Sequence, residues 1–248
     1  MEQQQHSLKR QEEGPYISVN KLGEYLVARP GRRRGILDQL KHPNPYALSR
    51  YLEAKEAIVE YLTSGSTSPD CIYEAMQRMA VRAQGLPPGY TQQDLMLSIE
   101  ALRHFLELRG RISLEGYEVV EGSENPPTLH LGRLAVTVKP EVLLRRQPTR
   151  GRAQVGAIKL HFSREHPLNG DGGRYVAALT HRYLEEYVAR EGAVVSPTHC
   201  LFIDVFSESV VTAPPAYRRR RVDMEAACAE ISACWSLPAL PFVVDERL

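Results

Sequence analysis

Two short stretches decide how the chain reads: Leu134-Ala135-Val136-Thr137-Val138-Lys139-Pro140-Glu141 and, after an Arg-rich link, Val155-Gly156-Ala157-Ile158-Lys159-Leu160-His161-Phe162. Both are rich in β-formers and alternate in character. In the first, Leu134, Val136 and Val138 point one way and Ala135, Thr137, Lys139 and Glu141 the other. In the second, Ala157, Lys159 and His161 share one face, and Gly156, Ile158, Leu160 and Phe162 the other. A lysine in the middle of such a strand is rarely buried without a partner. Glu141 and Lys159 therefore stand out as charged residues on candidate strands, and Asp204 on a later apolar strand needs a partner, for which Lys159 or a backbone donor is available.

Working outward, the flanks define an order of elements. Upstream, Ile112–Val120 is strand-like and ends at Gly122, so Leu129–Leu144 reads as a second strand and Val155–Phe162 as a third. Downstream, a Gly-rich loop precedes a helix at about Gly173–Arg190, then a fourth strand at Cys200–Val211 and a last helix at about Asp223–Cys234. Before the strands, helical periodicity appears at Ser49–Thr63, Asp70–Gln84 and from Thr91 to Gly110, with a short helix at Ser18–Leu26 stopped by Pro30-Gly31. Residues 1–15 read as a loose polar tail. The expectation is an α/β protein with an α+β mixed sheet: residues 1–90 a helical N-terminal region, residues 91–248 an α/β domain with a C-terminal helix.

Composition bounds the function. The chain has 248 residues, 43% hydrophobic and 25% charged, the composition of a folded globular protein. It has no apolar run of membrane-spanning length, and residues 1–6 lack the apolar stretch of a secretory signal, so a cytoplasmic protein with no membrane partner is expected. Its four cysteines (Cys71, Cys200, Cys228 and Cys234) are scattered and form no CxxC pair, which speaks against a zinc ribbon or a disulfide scaffold. P-loop, dinucleotide-binding, Gly-x-Ser-x-Gly and His-Glu-x-x-His motifs are absent.

The formal charge of +1 is a cancellation. Residues 139–182 carry 9 basic and 3 acidic residues, whereas residues 51–138 carry 7 and 12. The basic segment holds both Glu141 and Lys159. Arg145, Arg146, Arg150, Arg152, His161 and Arg164 are thus candidate contacts to nucleic-acid phosphate, and the Arg32–Arg34 and Arg218–Arg221 runs are open as phosphate contacts, a partner-protein surface or solvated surface.

Pro140-Glu141 on a second strand and Ala157-Ile158-Lys159 on a third resemble the PD-(D/E)XK nuclease superfamily, the restriction-endonuclease-like fold. The resemblance covers roughly residues 91–211 and implies an α-β-β-β-α-β core, with Thr91–Leu108 as first core helix and Gly173–Arg190 as crossover. It implies DNA as partner, Mg²⁺ as cofactor, and phosphodiester hydrolysis with Glu141 as a metal ligand and Lys159 orienting water or stabilising charge. Where the family has a third-strand acid, this chain has Ala157, which binds no metal. Glu100 on the first core helix is the expected replacement, as catalytic residue and metal ligand, with Glu107 next; Asp204 on the fourth strand is a third nearby acid. The departure leaves open a protein that has lost cutting and binds nucleic acid or a protein partner. A regulatory or scaffolding protein, assembled through its helical residues 1–110, is the reading outside the family.

Overall fold

The computed structural model describes residues 14–42, 50–148, 151–189 and 192–235. At its centre lies a five-stranded sheet. Its strands are β2 (Glu118–Glu121), β5 (Val142–Arg146), β6 (Gln154–His161), β7 (Val194–Asp204) and β8 (Ser209–Thr212), adjacent in that order. β6 and β7 are parallel and the other neighbours antiparallel. A parallel pair needs a crossover. It is supplied by helix α6 (Asp171–Tyr183), which runs on into a π-helical turn at Leu184–Val188.

The expected second strand, Leu129–Leu144, is two structures. Leu129–Leu131 (β3) and Leu134–Thr137 (β4) form a hairpin turned by Gly132. That hairpin leaves the main sheet and pairs in parallel with β1 (Tyr16–Ser18). Only Val142–Arg146 enters the five-stranded sheet. Alternation is the same in both pieces, so periodicity could not separate them. The break falls at Lys139-Pro140, where Lys139 adopts φ 38°. The expected first strand is also shorter: a 3₁₀ turn at Arg109–Arg111 precedes β2.

Helices cover both faces of the sheet, and so make two cores. On one face lie α3 (Leu52–Thr63), α4 (Asp70–Gln84) and α5 (Tyr90–Leu108), with Ile58, Ile72, Leu102 and Phe105 packed against Val142, Leu144, Ile158 and Ile203. On the other lie α1 (Val19–Val27), α2 (Pro30–Lys41), α6 and α7 (Tyr217–Trp235), with Leu22, Ile36, Val176 and Met224 against Ala157, Cys200 and Phe202. The helices before residue 91 therefore do not form one region; the chain changes faces between α2 and α3. Phe105 is fully buried, and truncating such a residue to Ala costs about 3–5 kcal/mol.

Local chemistry explains the element ends that matter here. Ser18 caps α1, its Oγ accepting from the Lys21 N–H at 3.3 Å. Pro30 ends α1 and begins α2, where its fixed φ suits the first helical turn. The Arg32–Arg34 run is thus helical. Gly156 sits at a β-bulge between Val155 and Ala157, and a Cβ there would lie 2.4 Å from the His199 carbonyl oxygen. That bulge sets the register in which Lys159 faces Phe202 and His161 faces Asp204.

Candidate functional site

The ends of β5 and β6 meet at Glu141 and Lys159. The Lys159 ammonium donates to Glu141 Oε1 at 2.7 Å and to the Lys139 carbonyl at 2.9 Å. The other carboxylate oxygen, Glu141 Oε2, accepts from the Leu160 N–H at 2.7 Å. Both side chains are 11% exposed. Removing either partner strands the other in a poorly hydrated place, which makes the pair structurally demanding.

Three backbone features hold this pair. Glu141 N–H donates to the Ile158 carbonyl at 3.0 Å, and its own carbonyl accepts from Gly122 N–H at 2.9 Å. Gly122 is required by close approach, since a Cβ there would lie 2.0 Å from the Pro140 carbonyl oxygen. Lys139 is left-handed although it precedes proline, a conformation that costs free energy and persists only where the surroundings impose it. That conformation accompanies the contact between its carbonyl and Lys159.

The pair lies in a cleft of about 660 Å³. Its cationic lining is Arg50, Lys55, Lys159 and Arg164, against Glu141 and Glu165. Among the described residues, Arg50 and Lys55 form no ion pair within 4 Å, although Arg50 lies close enough to Asp94 to act on its charge. From α5, Gln93 and Leu97 face the cleft; from the opposite layer, Ser18 and Asn20 reach in. The Asn20 amide donates to the Leu160 carbonyl at 2.9 Å, while its Oδ1 is buried with no hydrogen-bond partner among the described residues. His161 is held between them, its Nε2 3.1 Å from the His166 carbonyl and its Nδ1 3.5 Å from the Asn20 amide nitrogen. Burial pushes the His161 pKa down, with the nearby Asp204 opposing. A neutral ring donating from Nε2 fits these contacts.

The remaining expected residues are dispersed. Glu100 does not line the cleft; its carboxylate pairs with Arg164 at 3.3 Å and stands 4.0 Å from His104. Glu107 is exposed. Asp204 is fully buried and fastens loops, accepting from Leu168 N–H and Ser207 N–H. Ala157 is fully buried in the core under α6. Among the described residues, no group of three or more His, Cys, Asp or Glu is placed to hold a metal ion.

The basic segment is also divided. Arg145 and Arg146 lie opposite Val155 and Gln154, at the far end of β5–β6 from Lys159, where they line a second hollow of about 480 Å³. Arg152 is there too, donating to the Gly192 carbonyl at 3.1 Å. Arg150 lies outside the described residues. The arginine runs are largely taken up within the fold: Arg32 pairs with Glu24, Arg33 binds the Tyr25 and Leu26 carbonyls, Arg220 pairs with Asp171 and Arg221 with Glu185. Only Arg34, Arg218 and Arg219 are exposed.

Sequence reasoning missed Asn20, Arg50, Lys55 and Gln93, which lie far from the motif along the chain. A helix-capping serine followed by a polar residue gave no sign that α1 opens onto a cleft. Comparison with known proteins finds no matching family model and no curated protein of significant similarity. Among the described residues, no helix is long and apolar enough to cross a membrane.

Proposed function

We propose that this is a nuclease-like protein of PD-(D/E)XK type whose cleft binds nucleic-acid phosphates and lacks the donor set for metal-assisted cutting. The strand order supports the first half: an antiparallel β2-β5-β6 meander, crossover α6, then parallel β7. Pro140-Glu141 immediately precedes the second of these strands and Lys159 lies in the third. Four cations line the cleft; Glu141 pairs Lys159 and Glu100 pairs Arg164 from outside it, so the sequence-independent attraction for a polyanion rests mainly on Arg50 and Lys55.

The observation that carries the second half is the state of Glu141. Both its oxygens already accept short hydrogen bonds, and the position that could add a second carboxylate is the buried Ala157. Mg²⁺ takes hard oxygen ligands in octahedral geometry, using one or two carboxylates with water and substrate oxygens. One engaged carboxylate, itself ion-paired to a lysine, does not fit that demand. Lys159 uses two of its three ammonium protons on Glu141 and the Lys139 carbonyl, which leaves one donor for a phosphate oxygen.

The test has two arms. Fluorescence anisotropy with a labelled oligonucleotide should show binding that weakens with salt and with Lys55→Gln and Arg164→Gln. Plasmid DNA with Mg²⁺ or Mn²⁺ should stay intact. Salt-independent binding, or none, overturns the phosphate reading. Metal-dependent cleavage abolished by Glu141→Ala overturns the claim that the site does not cut.

A further inference from the structure

The cleft carries a second kind of chemistry at its mouth. The Arg50 guanidinium lies 5.6 Å from the centre of the Tyr90 ring, which is 41% exposed. Tyr90, Gln93 and Leu97 follow one another at three and four residues on α5, so they share a helical face, and the latter two line the cleft. Deeper in the wall, Tyr51 stacks on Phe162 with ring centres 5.5 Å apart and planes 14° apart. Phe206 meets Tyr51 edge-on at 5.5 Å. A cation–aromatic pair at the cleft edge thus adjoins an aromatic wall, Arg50 and Tyr51 being neighbours in the lining.

Backbone strain marks the same place. Among the described residues, three other than glycine have positive φ: Tyr51, Lys139 and Glu208. Tyr51 lines the cleft, and the Lys139 carbonyl receives Lys159 at its floor. Tyr51 is held there by its N–H, which donates to Asp94 Oδ1 at 3.2 Å. Such conformations concentrate at ligand clamps. Their placement here joins the charged floor and the aromatic wall into one built site.

We infer that the occupant is an unpaired nucleic-acid strand rather than a duplex, with phosphates on Lys159, Lys55 and Arg164 and a base on the Arg50–Tyr90 pair. This rests on the phosphate-binding reading above. Two features favour it. The site is recessed, and a cleft of about 660 Å³ is of small-ligand size, so it can take in a single base that a duplex keeps within its own stack. Moreover, a ring or guanidinium plane is useful only to a base free of its own stack, and such stacking tolerates any sequence.

Anisotropy titrations of a fluorescein-labelled 12-base single strand (about one short site) and the blunt duplex of the same sequence separate the outcomes. The single strand should bind at least roughly tenfold more tightly, and Tyr90→Ala and Arg50→Ala should each weaken it by roughly tenfold, the scale of one base–aromatic stack. Tyr90→Phe, which keeps the ring, should bind more tightly than Tyr90→Ala, and a thermal melt of each variant shows whether it folds. Equal binding of strand and duplex, with folded Tyr90→Ala unchanged, overturns this inference and leaves the phosphate reading intact. No binding of either nucleic acid, or binding unaffected by Lys55→Gln plus Arg164→Gln, overturns both.

Discussion

The two ends of the β5–β6 pair hold similar numbers of basic residues and differ in everything else. At one end Lys159 is buried, aimed by two acceptors and surrounded by a cleft built from both helical layers. At the other, Arg145 and Arg146 are exposed beside a smaller hollow, with Arg146 resting over the Tyr117 ring at 5.8 Å. Local charge density in the sequence treats these ends alike. Tertiary structure does not, because a site needs positions fixed from several directions, and only the Glu141 end has them.

The comparison breaks most sharply through the buried pair. Lys159→Met should destabilise the protein by roughly 3 kcal/mol, because Glu141 would keep only its backbone donor. Glu141→Gln plus Lys159→Met should cost less than the two single changes summed. Arg145→Gln at the other end should fall within about 0.5 kcal/mol of wild type, as exposed substitutions do. Urea unfolding measures all four.

Gly122→Ala comes next. The added methyl meets the Pro140 carbonyl, and overpacking of this kind costs about 1–3 kcal/mol. It should also weaken oligonucleotide binding, because Pro140-Glu141 must move, whereas Gly110→Ala, with open space around its Cβ, should leave binding unchanged.

Salt dependence sharpens the contrast further. Each phosphate contact adds about 0.7 to the slope of log K against log salt for a single strand. Lys55→Gln or Arg164→Gln should lower the slope by about that amount, and Arg145→Gln should leave it unchanged. Equal slopes for Arg145→Gln and Lys55→Gln would merge the two ends into one binding surface.

The smallest effect expected is on acid stability. His161, His181 and His199 all have pKa values pushed below the usual 6.5, burial being the main cause. The folded state then binds fewer protons than the unfolded state in that range. Stability is full above pH 6.5 and declines as pH falls from there toward the folded-state values. His199→Gln should flatten part of that decline without altering the cleft, since His199 lies with Tyr117 at the arginine end.

Much of this was legible in the chain. The helix at Asp70–Gln84 falls where periodicity places it, the strand at Val155–Phe162 is within one residue, and Glu141 does meet Lys159. The first two readings rest on local period; the third follows from the resemblance that puts both residues in one site, and Asp204, for which Lys159 is one candidate partner in the sequence, instead takes backbone donors. What was illegible depends on partners distant in sequence. Arg32 and Arg220 look like free cations until Glu24 and Asp171 are seen beside them. Asn20 reaches Leu160 across 140 positions. The β3–β4 hairpin alternates as a continuous strand would, and only its pairing with β1 shows that it belongs to another sheet.

β6 lies in the middle of the sheet, with neighbours on both edges and a core on both faces. Amides in such a strand exchange with solvent only through the largest openings of the molecule. Lys159 should therefore be carried by the slowest-exchanging part of the protein, while Arg50 and Tyr90 stand at the starts of helices in an outer layer. A ligand entering the cleft meets a floor that stays put on the timescale of binding. Whatever adjustment it demands is made at the rim, and hydrogen exchange should report protection gained at Arg50–Leu52 and Tyr90–Gln93 with β6 unchanged.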